Sequence, residues 1–236
     1  MLELVNVCKS YKGKEVLHNF SVKLEKGIYG LLGPNGAGKS TMMNIIADVL
    51  LPTSGEILYD GESIYKLKEK YRSHIGYLPQ HVGYYDNFTA YMTLEYFANL
   101  RGVPKKEYKE RIMEVLSAVN LTENAKQKVK TFSGGMKQRL GIAIALIGNP
   151  DVLIFDEPTV GLDPKERINF RELLRELAKE KAIILSTHIV SDVEDIADYL
   201  IFLKKGNIVL ADSTENILKK TTVEELYMEF FGEDVV

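Results

Sequence analysis

The sequence predicts an α/β protein with a mixed sheet, an antiparallel β subdomain at its N-terminus and an α-helical lobe inserted midway. Three observations carry this. Short apolar runs recur at Ile28 to Leu32, Val152 to Phe155 and Ala182 to Leu185, the last two separated by a charged helical stretch. That alternation belongs to a parallel sheet. Leu2 to Val7 and Val16 to Leu24 read as strands ahead of them, and from Val82 to Gly148 helical spacing replaces the strand pattern.

In chain order, the opening strands end at the turn Lys26-Gly27, and the run Ile28 to Leu32 ends in a tight glycine loop. Ser40 to Leu51 has helical spacing stopped by Pro52. Glu56 to Tyr59, the Asp60-Gly61 turn and a strand at His74 to Leu78 follow. Leu94 to Arg101, Lys105 to Val119 and Gly134 to Ile147 read as the helices of the lobe, and Lys165 to Lys179 as the charged helix between strands. Ser191 and Glu194 have capping-box spacing for another helix. A hairpin around Gly206-Asn207 pairs Leu200 to Leu203 with Ile208 to Leu210, and Thr222 with Glu225 opens a last amphipathic helix. The expected organisation is one domain over residues 1–236. Its core is 1–81 with 149–212, its helical lobe 82–148 and its short helical tail 213–236.

Composition narrows the function. The 236 residues are 45% hydrophobic and 27% charged, with a net charge of −3. Such a chain has no electrostatic footprint for a nucleic-acid backbone, so no nucleic acid is expected as a partner. The lone Cys8 sits in an apolar alternating stretch and is expected to be buried and reduced, as in a cytosolic protein. No apolar run reaches the roughly 20 residues that span a bilayer, and the first residues carry no secretion signal. Work at a membrane would need a partner that supplies the span.

Gly33-Pro34-Asn35-Gly36-Ala37-Gly38-Lys39-Ser40 fits G-x-x-x-x-G-K-[ST] between a strand and a helix, the setting that this motif requires. Its glycines let successive backbone N–H groups face inward, and the helix N-terminus adds positive potential for phosphates. Lys39 is placed to reach the β- and γ-phosphates of ATP, and Ser40 to ligate Mg²⁺. A plain glycine turn would match the four fixed positions in roughly one chain in a hundred. The absence of G-x-G-x-x-G argues against a dinucleotide. Val152 to Phe155 then runs into Asp156 and Glu157 at the carboxyl end of a strand, where α/β sheets bind ligands. Asp156 is placed to hold Mg²⁺ through water, and Glu157 to orient or deprotonate the attacking water. Alone, two acids after a strand are more often solvated loop residues.

Further motifs follow in order. Gln80 ends a strand after Leu78-Pro79. Ser133-Gly134-Gly135-Met136-Lys137-Gln138 precedes the acidic strand, Gly161-Leu162-Asp163-Pro164 follows it, and His188 follows Ile183 to Ser186. In this arrangement the chain resembles the ATP-binding subunits of ABC transporters, from about Leu2 to Asp212. The resemblance implies a P-loop NTPase (RecA-like) core and ATPase activity with ATP and Mg²⁺, coupled to transport. It implies that Gly33 to Thr41 bind phosphate and that Tyr11 stacks on adenine. Gln80 would touch Mg²⁺ and the attacking water. Asp156 is the metal-side acid, Glu157 the general base and His188 a γ-phosphate contact. Ser133, Gly134 and Gly135 would close over ATP held by a second subunit, and Asp163 would link the two sites. Partners would be that second ATP-binding subunit, identical or not, and a membrane permease that holds the protein on the inner face of the cell membrane. The usual family segment reads Leu-Ser-Gly-Gly-Gln. Here it is Phe132-Ser133-Gly134-Gly135-Met136, which loses a side-chain amide, and the run through Arg139 looks like a variant from bacterial ABC-2 exporters.

Each residue also has a duller reading. Ser133 is a good N-cap, and Asp163 before Pro164 is an N-cap with proline at the first helical position. His188, Gln80 and Tyr11, one of 13 tyrosines, mean little in isolation. Tyr84, Tyr85, Phe88, Tyr91, Tyr96 and Phe97 either dock the membrane partner or pack inside the lobe. Rival functions are a nucleic-acid-associated ATPase, a subunit for a soluble assembly process and a non-hydrolysing regulator. The first lacks the coiled coil or the second cassette that it needs, and intact Glu157 and His188 argue against the last.

Overall fold

The structure is a computed structural model and describes residues 1–232; the last four residues of the expected tail lie outside that range. The chain opens with β1 (Leu2–Tyr11) and β2 (Lys14–Leu24), an antiparallel hairpin. With β4 (Ser54–Tyr59) and β5 (Glu62–Ser63) it makes a four-stranded sheet of order β2-β1-β4-β5, antiparallel throughout. The turns Lys12-Gly13 and Asp60-Gly61 have positive φ at both residues (48° and 83°; 50° and 79°), the two-residue geometry that matches strand twist. Register shifts interrupt β1 between Val5 and Cys8. Cys8 is therefore half-buried rather than buried, and its Sγ donates to Asn19 Oδ1 at 3.2 Å. The bulge turns the thiol toward a polar neighbour, which alternation alone does not reveal.

The second sheet holds β3 (Gly27–Leu32), β6 (Ile75–Leu78), β7 (Val152–Asp156), β8 (Ala182–Thr187), β9 (Tyr199–Lys204) and β10 (Asn207–Ser213) in the order β10-β9-β3-β8-β7-β6. The first five strands run parallel and β10 antiparallel, so the sheet is mixed. Along β7, Leu153 and Phe155 enter one apolar core while Val152 and Ile154 enter the other. A strand covered on both faces needs apolar residues at every position, which is why these runs do not alternate. Full burial of each such side chain contributes about 1.5–3 kcal/mol. The β9–β10 turn is Lys205-Gly206, with φ 46° and 81°, one residue earlier than expected, because the lysine also takes the left-handed conformation.

Helix α1 (Lys39–Ile46) leaves the glycine loop after β3 and stops well before Pro52. Asp48 turns left-handed (φ 56°), and Val49 N–H donates to Asn44 C=O while Asp48 N–H donates to Ile45 C=O, which satisfies the last carbonyls. Two short helices, α2 (Ile64–Leu67) and α3 (Glu69–Ser73), precede β6 and carried no sequence signal. In the middle segment α4 (Ala90–Leu100) starts four residues earlier than the periodicity indicated, because Thr89 caps it and accepts from Met92 N–H at 3.1 Å. The next expected helix opens as a 3₁₀ turn (Lys105–Glu107) before α5 (Tyr108–Ala118), and α6 (Gly134–Leu146) follows.

Helix α7 (Pro164–Ala178) crosses between β7 and β8. The capping-box spacing at Ser191 opens no α-helix. Val190–Asp192 is one 3₁₀ turn, because Asp192 turns inward to accept from Thr159 Oγ1 and Val193 is buried. The expected helical tail holds two helices: the short α8 (Thr214–Leu218), which had no capping signal of its own in the sequence reading, and α9 (Val223–Phe231), which forms with both halves of the Thr222/Glu225 capping box.

Candidate functional site

The site forms where β3, β6, β7 and β8 end. The turn after β3 must pass close to β9: a Cβ on Gly33 would lie 2.3 Å from Leu203 C=O. Gly38, at φ 110°, caps α1 and aims the helix N-terminus at the loop. Lys39 is only 7% exposed, and its ammonium donates to Gly33 C=O at 2.6 Å and Pro34 C=O at 3.3 Å. Burial lowers its pKa, while the carboxylates of Glu157 and Asp156 pull it back up. A cleft of about 230 Å³ is lined by Val16, residues 34–41, Gln80, Asp156 and Glu157. The glycine loop, the paired acids and Gln80, far apart in the sequence, thus share one concavity.

Asp156 and Glu157 differ in environment. Asp156 ends β7, is buried, and accepts a 2.6 Å hydrogen bond from Ser186 Oγ. Glu157 is 7% exposed and takes φ 52°, a conformation that costs a non-glycine residue about 1–3 kcal/mol. It is held there by its N–H, which donates to Ser186 Oγ at 3.0 Å. Its Oε2 lies 2.9 Å from Nδ1 of His188, whose side chain is 52% exposed. Sequence reasoning missed Ser186. Its only signal is its register opposite Asp156, which requires the strand pairing to be known. It also missed Asp192, which accepts from Thr159 Oγ1 at 2.6 Å and lies 3.7 Å from Arg167, joining the loop after Glu157 to the loop after His188. Ser186→Ala should strip one hydrogen bond from each acid's segment and destabilise the fold by about 1–3 kcal/mol. It should slow turnover more than it weakens ATP affinity, as thermal unfolding with steady-state kinetics would register.

Ser133 caps α6 and accepts from Met136 N–H at 3.2 Å. Ser133 and Gly134 are exposed and lie outside the lining of the 230 Å³ cleft. Gly135 is buried against the capping box of α7, where a Cβ would sit 2.6 Å from Glu166 Oε2. Met136 packs partly buried against the core, and its backbone N–H still serves the cap. Asp163 is the N-cap of α7 with Pro164 at N1, and it lines a separate groove of about 550 Å³ between α5, α6 and α7. Both capping readings therefore hold. Tyr11 ends β1 at 45% exposure with Lys9 Nζ 5.1 Å from its ring centroid, outside the cleft lining.

The aromatic segment divides. Tyr84 packs inward, donating to Lys137 C=O at 2.6 Å over Gly141. Tyr85, 55% exposed, stacks on Phe88 (4.9 Å between centroids) and meets Tyr96 edge-on. The donor set around the cleft fits a hard divalent cation: Ser40 hydroxyl, Gln80 amide oxygen and Asp156 carboxylate all line it. Among the described residues no group of three His, Cys, Asp or Glu gathers to hold a metal by itself. Among the described residues no helix is long and apolar enough to cross a membrane.

The sequence pattern of the ABC transporter family matches residues 17–160. An uncharacterised ABC transporter ATP-binding protein of Bacillus subtilis is 42% identical over 88% of this chain and 69% of its own length. A lantibiotic transport ATP-binding protein of Streptococcus pyogenes is 39% identical over 92% of this chain and 94% of its own. A solved ATP-binding cassette, a dimer in a post-hydrolysis state bound to ADP and Pi, superposes with a TM-score of 0.83 at 29% identity, covering 91% of this chain and 99% of that one. These likenesses agree with the P-loop core, the mixed and antiparallel sheets and the helical insertion seen here. The chain belongs to the ABC transporter family, as one of its ATP-binding, ATP-hydrolysing cassettes.

Proposed function

We propose that this cassette closes around ATP with a second cassette and drives substrate movement, as export, through a separate membrane permease. The observation that carries the reading is the convergence of Lys39, Gln80, Asp156 and Glu157 on one cleft, with Ser133 and Gly134 exposed elsewhere on the same chain. A site lacking its cationic or N–H-bearing far wall is completed when another molecule brings a helix N-terminus to it. Residues 1–81 with 149–212 serve as the ATP-binding core, 82–148 as the lobe that carries Ser133, and 213–236 as a tail.

In this reading the loop of residues 33–41 cradles the phosphates and Lys39 bridges the β- and γ-phosphoryl oxygens. Tyr11 flanks the adenine from the end of β1. Glu157 accepts a proton from the water that attacks the γ-phosphorus, ADP leaves with its oxygen, and inorganic phosphate forms. His188, engaged with Glu157 through Nδ1, keeps Nε2 for the γ-phosphate. Ser40, Gln80 and Asp156 would hold Mg²⁺, which would supply charge neutralisation at the phosphate oxygens. In the second cassette Ser133, Gly134 and Gly135 face the same phosphates, and Asp163 contacts the opposite site.

Exposed Tyr85, with half-buried Phe88 stacked against it, forms the docking point for the permease, a few residues after Gln80 in the chain. A lantibiotic transport protein among the relatives supports the export direction, and the permease would keep the cassette on the cytoplasmic face of the membrane. Tagged cassette extracted from membranes in detergent should carry a multi-span membrane protein with it. Tyr85→Asp should lose that protein and abolish transport while basal ATPase persists; transport at the parental rate would reject the docking point.

A further inference from the structure

Charge is unevenly placed along the chain. Residues 82–148 carry ten lysines and arginines against six acids, while the remainder carries twenty against twenty-seven. Part of the surplus gathers on one face. A depression of about 650 Å³ is lined by Met92, Tyr96, Lys105, Lys106 and Lys109 among others. A second, of about 560 Å³, is lined by Lys109 and Lys126 among others. Tyr91 and Lys109 belong to both, so the two share a wall. Glu95 and Glu123 are the acids in this lining.

Local folding does not account for these lysines. Lys105 and Lys106 lie in the 3₁₀ turn that enters α5, and Lys109 is the second residue of that helix. Three cations thus share the end of a helix whose dipole is already positive with Glu107 and Glu110, the acids that such an end favours. Among the described residues Lys105, Lys109 and Lys126 have no ion-pair partner, and Lys106 has a 3.8 Å contact with exposed Glu107. Beside them Met92 and Tyr96 leave apolar surface in solvent. Exposed rings and thioethers flanked by lysines, whose stems are apolar and whose heads are charged, are the composition that seats in a headgroup layer.

We propose that this face of the helical segment rests on an anionic lipid surface. The cations are spread over two open depressions with apolar side chains between them, which matches a plane of negative headgroups over hydrocarbon. Tyr96 touches Tyr85 edge-on, so the lipid face continues the surface assigned to the permease. It stands apart from that assignment, however, because vesicles without any membrane protein test it.

Purified full-length protein should float with vesicles of equal parts phosphatidylglycerol and phosphatidylcholine, be released by raised salt, and stay unbound with phosphatidylcholine alone. Each lysine near such a surface is worth about fivefold in partitioning. The Lys105→Gln, Lys106→Gln, Lys109→Gln triple variant should therefore partition about a hundredfold more weakly with unchanged ATPase, and Met92→Ser with Tyr96→Ser should weaken binding independently of salt. Equal flotation with phosphatidylcholine, no flotation with either, or a triple variant that floats like the parent would overturn the proposal. So would binding of polyglutamate, but not vesicles, to the same lysines, which would make the face a site for an acidic peptide.

Discussion

Glu157→Gln should cut ATP turnover by about 10²- to 10⁴-fold, the usual worth of a positioned general base, while ATP still binds. The substitution is nearly isosteric, so the buried side chain keeps its place, and the amide oxygen can still meet His188 Nδ1, 2.9 Å from the parent carboxylate. The backbone N–H keeps its bond to Ser186 Oγ, and Asp156 is untouched. What disappears is the capacity to take a proton from water. Because closure around ATP precedes hydrolysis in the proposed cycle, the variant should accumulate as a two-cassette complex with ATP. Light scattering after gel filtration with ATP and Mg²⁺ reads this directly, and a persistent monomer with rapid turnover would count against both base and dimer.

Ser133→Asp separates the two readings of that serine. Aspartate caps a helix as well as serine does, so α6 and the fold should keep their stability. It also places a negative charge where the triphosphate of another cassette would approach, converting a favourable contact into a repulsive one. Turnover should fall by about 10²- to 10³-fold, the cost seen when one preorganised donor is removed from a charged transition state. Fluorescent-nucleotide affinity of the isolated chain should not change, because Ser133 lies outside the lining of its own cleft. Parental turnover in the variant would reduce Ser133 to a cap.

Much of this molecule is readable from its residues because its signals are local. The glycine loop, the strand ending in Asp156-Glu157 and the Asp163-Pro164 cap each announce themselves within a few positions, and all lie where expected. What escaped notice depends on distant partners. Ser186 matters through strand register, the tight packing of Gly135, itself a sequence candidate, through the Glu166 carboxylate against it, and the irregular turn after His188 through Asp192 reaching Thr159. Periodicity placed the start of α4 late because Thr89 acts through one backbone hydrogen bond rather than through apolar spacing. The aromatic segment read as undecided because it is in fact split: Tyr84 faces inward and Tyr85 outward.

The left-handed backbone at Glu157 sets two selective pressures against each other. An asparagine or glycine would relax that main-chain conformation but bring no proton acceptor. A lineage screened only for heat tolerance would drift toward such residues and fall silent, whereas one that must keep turning over has to carry the tension permanently.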